Sequence, residues 1–227
     1  MLRYNKIGFL SIIALSLYQM IPLFIDFSGR RIVIFGGGAV AARKAAYFAD
    51  EARVLVVSRS FVHKIETLPV KKKSVDLDTA SDSKLISVIG NAFLVIGALS
   101  DPVQNNRIGR LCHKKGILFN NADGEAGDVV FPAISSGKNF ILAISTGGSS
   151  PAISRFIREH IEQELPELDA MIVLQNRLRA ALKNTEPDQA RRNAILRKVL
   201  DDPWVWKILK TDPDTSWEKV SARFLHD

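Results

Sequence analysis

A chain of 227 residues, 47% hydrophobic and 24% charged, is long enough to bury a sizeable core and too apolar to be disordered. One cysteine, Cys112, excludes an intrachain disulfide, and His63, His113, His160 and His226 stand too far apart for metal-ligand spacing. The net charge of +7 gives a positive field that suits nucleic acid, a membrane surface or a polyanionic small molecule, so the motifs must choose.

The chain opens MLRYNKIGFLSIIALSLYQM, basic and then apolar from Ile7 to Leu17. It lacks a small-x-small cleavage site, and Tyr18 and Gln19 interrupt the run. Residues 1–19 therefore read as a start-site artefact or dispensable extension, ahead of a membrane anchor or signal segment. From Met20 the sequence moves through one short strand into the next, RIVIF. Gly36 to Gly38 make a turn, Ala39 to Ala49 an alanine-rich helix, and RVLVVS a second strand. Lys71-Lys72-Lys73 reads as a solvated edge. AFLVIGA is a further buried strand, and Pro102 to Lys115 a helix capped by Asp101 with Pro102 at its first position. ILFNNAD makes another strand, ending at Asp123. Continuous apolar strands alternating with helices predict a Rossmann-like parallel sheet over residues 20–123. Cys112 reads as a small buried hydrophobe in a helix.

Beyond Asp123 the pattern changes. DVVFPAISSGKNFILAIST holds two strands joined at Ser136-Gly137-Lys138, a β-hairpin within residues 124–150. Residues 151–227 read as a small helical domain. Its first helix is capped by Ser149 or Ser150 ahead of Pro151, Pro166 separates a second, and a third runs from Asp188 to Leu200. The arginines of that third helix read as a solvated face, because no aromatic residues interleave with them as an RNA-binding surface requires. Trp204, Trp206 and Trp217 are expected to pack this domain.

Gly36-Gly37-Gly38-Ala39-Val40-Ala41 fits G-x-G-x-x-A between a strand and a helix, the pattern that binds a dinucleotide pyrophosphate. Gly36 permits the tight turn, Gly38 the close approach of phosphate, and Ala41 the packing of helix on sheet. The second strand ends Val57-Ser58-Arg59-Ser60, without the acid that commonly holds the ribose of NAD. A serine and an arginine there suit the extra phosphate of NADP, so these residues leave the choice open. Asp123, at the carboxyl end of a parallel strand, stands where open α/β sheets place ligands. It reads equally as a general base and as a cap for the turn through Gly124.

VIFGGGAVAARKA, LSDPVQNNRI, FNNADGEAGDVVFPAI and LAISTGGSSPAISRFIREHIE, in that order and spacing, resemble the precorrin-2 dehydrogenases, including the N-terminal half of bifunctional siroheme synthases. The resemblance spans about Met20 to Leu165. It implies oxidation of precorrin-2 to sirohydrochlorin with NAD⁺ in siroheme or other modified tetrapyrrole biosynthesis, with Asp123 as the catalytic base. Ala39, Val40, Arg59 and Ser60 match cofactor contacts, beside Gly36, Gly37, Gly38, Ser58 and Asp101. The family manages NAD without the ribose acid. Asn121, Lys138, Thr146, Gly147, Gly148 and Arg155, with Arg158 nearby, fall in or beside the matching motifs as contacts for a polycarboxylate substrate. The positive charge suits such a substrate.

Three positions depart from the family pattern. Many relatives carry an acid at Ala39 and a threonine at Leu99, both beside the expected cofactor, and Thr146 replaces a frequent serine. The resemblance also implies a homodimer paired through the hairpin region. The single cysteine suits a reducing, cytoplasmic compartment, no recognition motif for nucleic acid is present, and no membrane partner is expected. Some members insert iron, for which no His or Cys cluster is present, although Asp123 could contribute. The alternatives are therefore a dehydrogenase–ferrochelatase or a non-catalytic nucleotide-sensing module of a membrane transporter. The latter leaves the hairpin and ISTGGSSP unexplained.

Overall fold

The computed structural model describes residues 20–225, so the extension at 1–19 and the readings placed on it lie outside the described residues. The chain divides into two compact units, one ending at Phe131 and the other beginning at Pro132.

In the first unit, β1 (Arg31–Phe35), β2 (Arg53–Ser58), β3 (Lys71–Ser74), β4 (Leu94–Gly97) and β5 (Leu118–Asn121) form one sheet in the order β3-β2-β1-β4-β5. Every pairing is parallel. The connecting helices are α1 (Ala39–Phe48), α2 (His63–Glu66), α3 (Asp82–Ile89) and α4 (Pro102–His113). β1 is an unbroken apolar run because both its faces are covered. Val33 and Phe35 join Leu85, Ile108 and Phe119 on one side, while Ile32 and Ile34 join Ala41, Ala45 and Ile65 on the other. Each such large side chain contributes about 1.5–3 kcal/mol by leaving water. Cys112 lies in the first of these cores, where burial, aided by the charge of Asp128, pushes its thiol up to about 12. It is a packing residue.

The lysine run lies at a solvated edge as expected and is itself a strand, β3, exposed along its whole length at the rim of the sheet, where charged side chains discourage further pairing. One local expectation is corrected. The short strand expected from Met20 does not form, and Met20, Ile21, Leu23, Phe24 and Ile25 are exposed. A strand leading into β1 has no free edge there, since β2 and β4 already occupy both of its sides. Packing begins at Phe27, whose ring sits 5.0 Å from that of Phe48 and 5.6 Å from that of Phe93.

In the second unit, β6 (Ala133–Ser136) and β7 (Ile141–Ile144) pair antiparallel as the expected hairpin. The helices that follow are α5 (Pro151–Glu164), α6 (Leu168–Thr185), α7 (Gln189–Asp201), α8 (Pro203–Thr211) and α9 (Ser216–Phe224). Ser150 caps α5 ahead of Pro151, and Asp188 caps α7. Trp204, Trp206 and Trp217 pack against the core of Leu174, Leu178, Val199 and Val205. The last two helices were not separated in the sequence; Asp202 and Pro203 mark where α8 starts, by the same cap signal. Among the described residues, no helix is long and apolar enough to cross a membrane.

Candidate active site

A cleft of about 610 Å³ opens at the carboxyl ends of the parallel strands, within the size range of small-molecule sites. Gly36 to Val40 line it from the β1–α1 turn, Ser58 to Val62 from the end of β2, Ala98 to Asp101 from the end of β4, and Ala122 and Asp123 from beyond β5. The first unit thus brings together every expected cofactor residue and Asp123.

The glycines do different jobs. Gly36 has φ 130°, a conformation side chains avoid, and a Cβ there would run into the carbonyl of Ala98. A Cβ at Gly37 would collide with the carbonyl of Ser60. Gly38 differs, because its backbone is extended at φ −88° and a Cβ would meet nothing within 4 Å. Protein packing does not demand glycine at that position; the open cleft beside it does, if a group must approach the backbone. Gly38 also begins α1 without a side-chain cap and without an acid in the first turn. The free N–H groups and positive end of that helix are suited to a phosphate. The residues present therefore fit a dinucleotide.

Asp123 lies two residues beyond β5, and its backbone is held at both ends. Its N–H donates to Asn121 Oδ1 at 3.2 Å, and its carbonyl accepts from Asn105 Nδ2 at 3.0 Å. The turn that follows is closed by asparagines. Asn121 Nδ2 donates to the Glu125 carbonyl at 2.7 Å, and Asn106 Oδ1 accepts from Glu125 N at 3.0 Å and from Asn121 Nδ2 at 3.0 Å. Gly124, at φ 127°, lies against these amides, with no room for a Cβ beside Asn106. Among the described residues the Asp123 carboxylate accepts no hydrogen bond and joins no ion pair. Its side chain is exposed at the cleft rim and is not spent on the turn.

Asn105 was missed as a functional residue. Fully buried, it accepts from Leu99 N at 3.1 Å and donates to the carbonyls of Leu99 and Asp123. It joins the loop after β4 to the loop after β5. Gly97 makes this possible, because a Cβ there would press on Asn105 Oδ1 at 2.9 Å. A lone polar residue on the buried face of an amphipathic helix was the available signal. Asp101 also caps α4, accepting from Val103 N at 2.8 Å, so its carboxylate has a structural task inside the cleft wall. Phe61, Val62, Leu77, Asp78, Ala98, Leu99, Ser100, Gln104 and Ala122 line the cleft too and were not singled out as site residues.

The remaining expected substrate contacts fall in the second unit. The N–H of Lys138 donates to Asp169 Oδ2 at 2.7 Å, and Asn139 donates to Oδ1 by backbone and side chain. These bonds, the backbone one from Lys138 foremost, hold the Asp169 carboxyl below the usual range. They also fix the hairpin turn on α6. Thr146 Oγ1 donates to the Ser150 carbonyl and accepts from Ser150 N, each at 3.0 Å, which braces the Gly147-Gly148 turn before α5. Arg155 is exposed and paired to Glu159 at 2.7 Å; Arg158 bridges Glu159 and Glu162. Among the described residues, no three His, Cys, Asp or Glu side chains gather to hold a metal ion.

A parallel sheet with a glycine turn and an uncapped helix end at its cleft defines a Rossmann-type fold with a candidate dinucleotide site. A family model described as putative NAD(P)-binding matches residues 23–133, and one for the central part of a sirohaem biosynthesis protein matches 142–164. The precorrin-2 dehydrogenase of Methanosarcina barkeri is 41% identical over 210 residues, 90% of this chain and 92% of its own. The siroheme synthase of Azotobacter vinelandii is 31% identical over 83% of this chain, which spans only 41% of that longer protein. The solved structure of SirC, a precorrin-2 dehydrogenase, superposes with TM-score 0.66 at 22% identity, covering 92% of this chain and all of its own, and so shares the fold. The chain belongs to the precorrin-2 dehydrogenase family of oxidoreductases.

Proposed function

We propose that this protein oxidises precorrin-2 to sirohydrochlorin with NAD⁺, Asp123 serving as the general base. The observation that carries the reading is the position of a carboxylate with no partner among the described residues on the rim of the cleft that the glycine turn lines. When bound, the nicotinamide ring supplies the hydride acceptor. Asp123 takes the proton released beside the carbon that gives up hydride, so two electrons and one proton leave as hydride and a second proton passes to the carboxylate. The N–H groups at the start of α1 hold the pyrophosphate, and Asn105 fixes the carbonyl of Asp123 so that its side chain faces the cleft. The +7 charge favours the approach of a polycarboxylate substrate. Lys138, Arg155 and Arg158 and the amides of Gly147 and Gly148 are proposed to receive its carboxylates. Arg155 and Arg158 would do so by exchanging their surface pairs with glutamate, which are weak.

The reading is tested by anaerobic absorbance with enzymatically made precorrin-2. Sirohydrochlorin is expected with NAD⁺ and the purified protein. A folded protein that binds nucleotide but turns nothing over would rule this reading out in favour of a sensing module.

The protein is proposed to work as a cytoplasmic homodimer, with 124–150 as the dimerising and active-site segment. Supporting this, Ile141 on β7 and Ile153, Phe156 and Ile157 on α5 expose apolar surface. Light scattering is expected to give about twice the 25.2 kDa chain mass, and a monomer at micromolar concentration would refute the assembly.

A further inference from the structure

We infer that Asp78, braced by Asp76, is the residue that selects the nucleotide, accepting hydrogen bonds from the adenosine ribose hydroxyls and turning away a 2′-phosphate. The inference rests on the dinucleotide reading of the cleft.

The strand that ordinarily ends on a ribose-binding acid ends here on Ser58, followed by Arg59. Taken alone, that pair invites a phosphate. The neighbouring strand changes the balance. β3 runs parallel to β2 with Ser74 opposite Ser58, and the chain continues extended past β3, with Val75 N donating to the Ser58 carbonyl at 3.1 Å. Val75 and Leu77 are buried, while Asp76 and Asp78, interleaved with them where the chain turns over 77–79, are exposed. Asp76 Oδ1 accepts from Asp78 N at 3.1 Å and the Asp76 carbonyl accepts from Ala80 N at 3.1 Å, which closes a turn and fixes the Asp78 backbone. Asp78 then lines the same cleft as Ser58, Arg59 and Ser60.

There Arg59 Nη1 lies 3.2 Å from Asp78 Oδ2 and 3.7 Å from Asp76 Oδ1. Two carboxylates oppose one guanidinium, so the positive charge that Ser58-Arg59 suggests is already countered at the end of β2. A 2′-phosphate could draw off Arg59, whose exposed pairs are weak, but it would then stand beside two carboxylates that the guanidinium no longer covers. A ribose diol meets no such obstacle, because its hydroxyls donate and a carboxylate accepts. The acid absent from β2 is thus supplied from beyond β3.

The test is calorimetric titration of the full-length protein with NAD⁺ and with NADP⁺, without tetrapyrrole, for wild type and Asp78→Asn. Charged hydrogen bonds and like-charge contacts of this kind shift affinity by about tenfold or more. Wild type is expected to bind NAD⁺ at least about tenfold tighter than NADP⁺, and Asp78→Asn to reduce that preference by about the same factor. Asp78 is exposed, so the variant is expected to fold as wild type does. Equal or tighter binding of NADP⁺ by wild type, or an unchanged preference in a variant that still binds NAD⁺, overturns the inference. Wild type binding neither nucleotide would remove the dinucleotide reading itself, and the inference with it.

Discussion

Asp123→Asn is expected to fold, to bind NAD⁺ as wild type does, and to lose turnover of precorrin-2 by roughly 10²–10⁴-fold, the usual contribution of a positioned general base. Asparagine keeps the shape of the side chain and removes its capacity to take a proton. The fold tolerates the change because the carboxylate accepts no hydrogen bond among the described residues; the backbone N–H and carbonyl of residue 123 hold the loop through Asn121 and Asn105. Thermal unfolding, nucleotide titration and the anaerobic absorbance assay separate the three expectations. Turnover within a few-fold of wild type would place the base elsewhere. A fall in unfolding temperature comparable to a lost buried hydrogen bond would instead return Asp123 to a turn-capping role.

Asn105→Leu is expected to damage both stability and catalysis. The replacement keeps similar bulk but strips partners from the N–H and carbonyl of Leu99 and from the carbonyl of Asp123. A buried polar group left unpaired costs about 1–3 kcal/mol, and the cleft lets water relieve some of the three, so a loss of about 2–4 kcal/mol is expected. That is large against the marginal stability of a domain. With the loop after β5 released from the loop after β4, the Asp123 carboxylate is no longer presented in one geometry, and kcat is expected to fall by about tenfold or more in the surviving folded protein. Unfolding monitored by circular dichroism gives the first number, and turnover well below the new midpoint gives the second. An unchanged midpoint would mean that water replaces the amide. An unchanged kcat would mean that Asn105 serves packing alone.

Several features were legible because they rest on neighbours in sequence. The RIVIF run, the glycines after it and the alanine-rich helix specify strand, turn and helix over one continuous stretch, and the structure has them at Arg31–Phe35 and Ala39–Phe48. Asp101 with Pro102 and Ser150 with Pro151 announce helix starts through local hydrogen bonds, and both do so in the structure. The hairpin around Gly137 is equally local, though the bond that holds its turn, from Lys138 to Asp169, spans 31 residues and left no trace in the pattern.

What depends on long-range contact could not be read in advance. Lys71 to Lys73 have poor strand propensity, yet form β3 because the edge of β2 offers parallel partners. The apolar run from Met20 has good propensity and forms no strand, because β1 has no edge left to offer. Ser58 and Arg59 leave the choice of nucleotide open, and the acids that the fold sets against Arg59, Asp76 and Asp78, lie 17 and 19 residues along the chain. By itself, then, the sequence determined the parallel α/β class, the glycine turn at its helix end and the candidacy of Asp123, since propensity, capping and turn chemistry act over a few residues. Only the tertiary structure decided that Asp123 is free of its own turn, that Asn105 holds its carbonyl, and that two acids stand against Arg59. Each of these is a balance between groups that the sheet order brings together from separate loops.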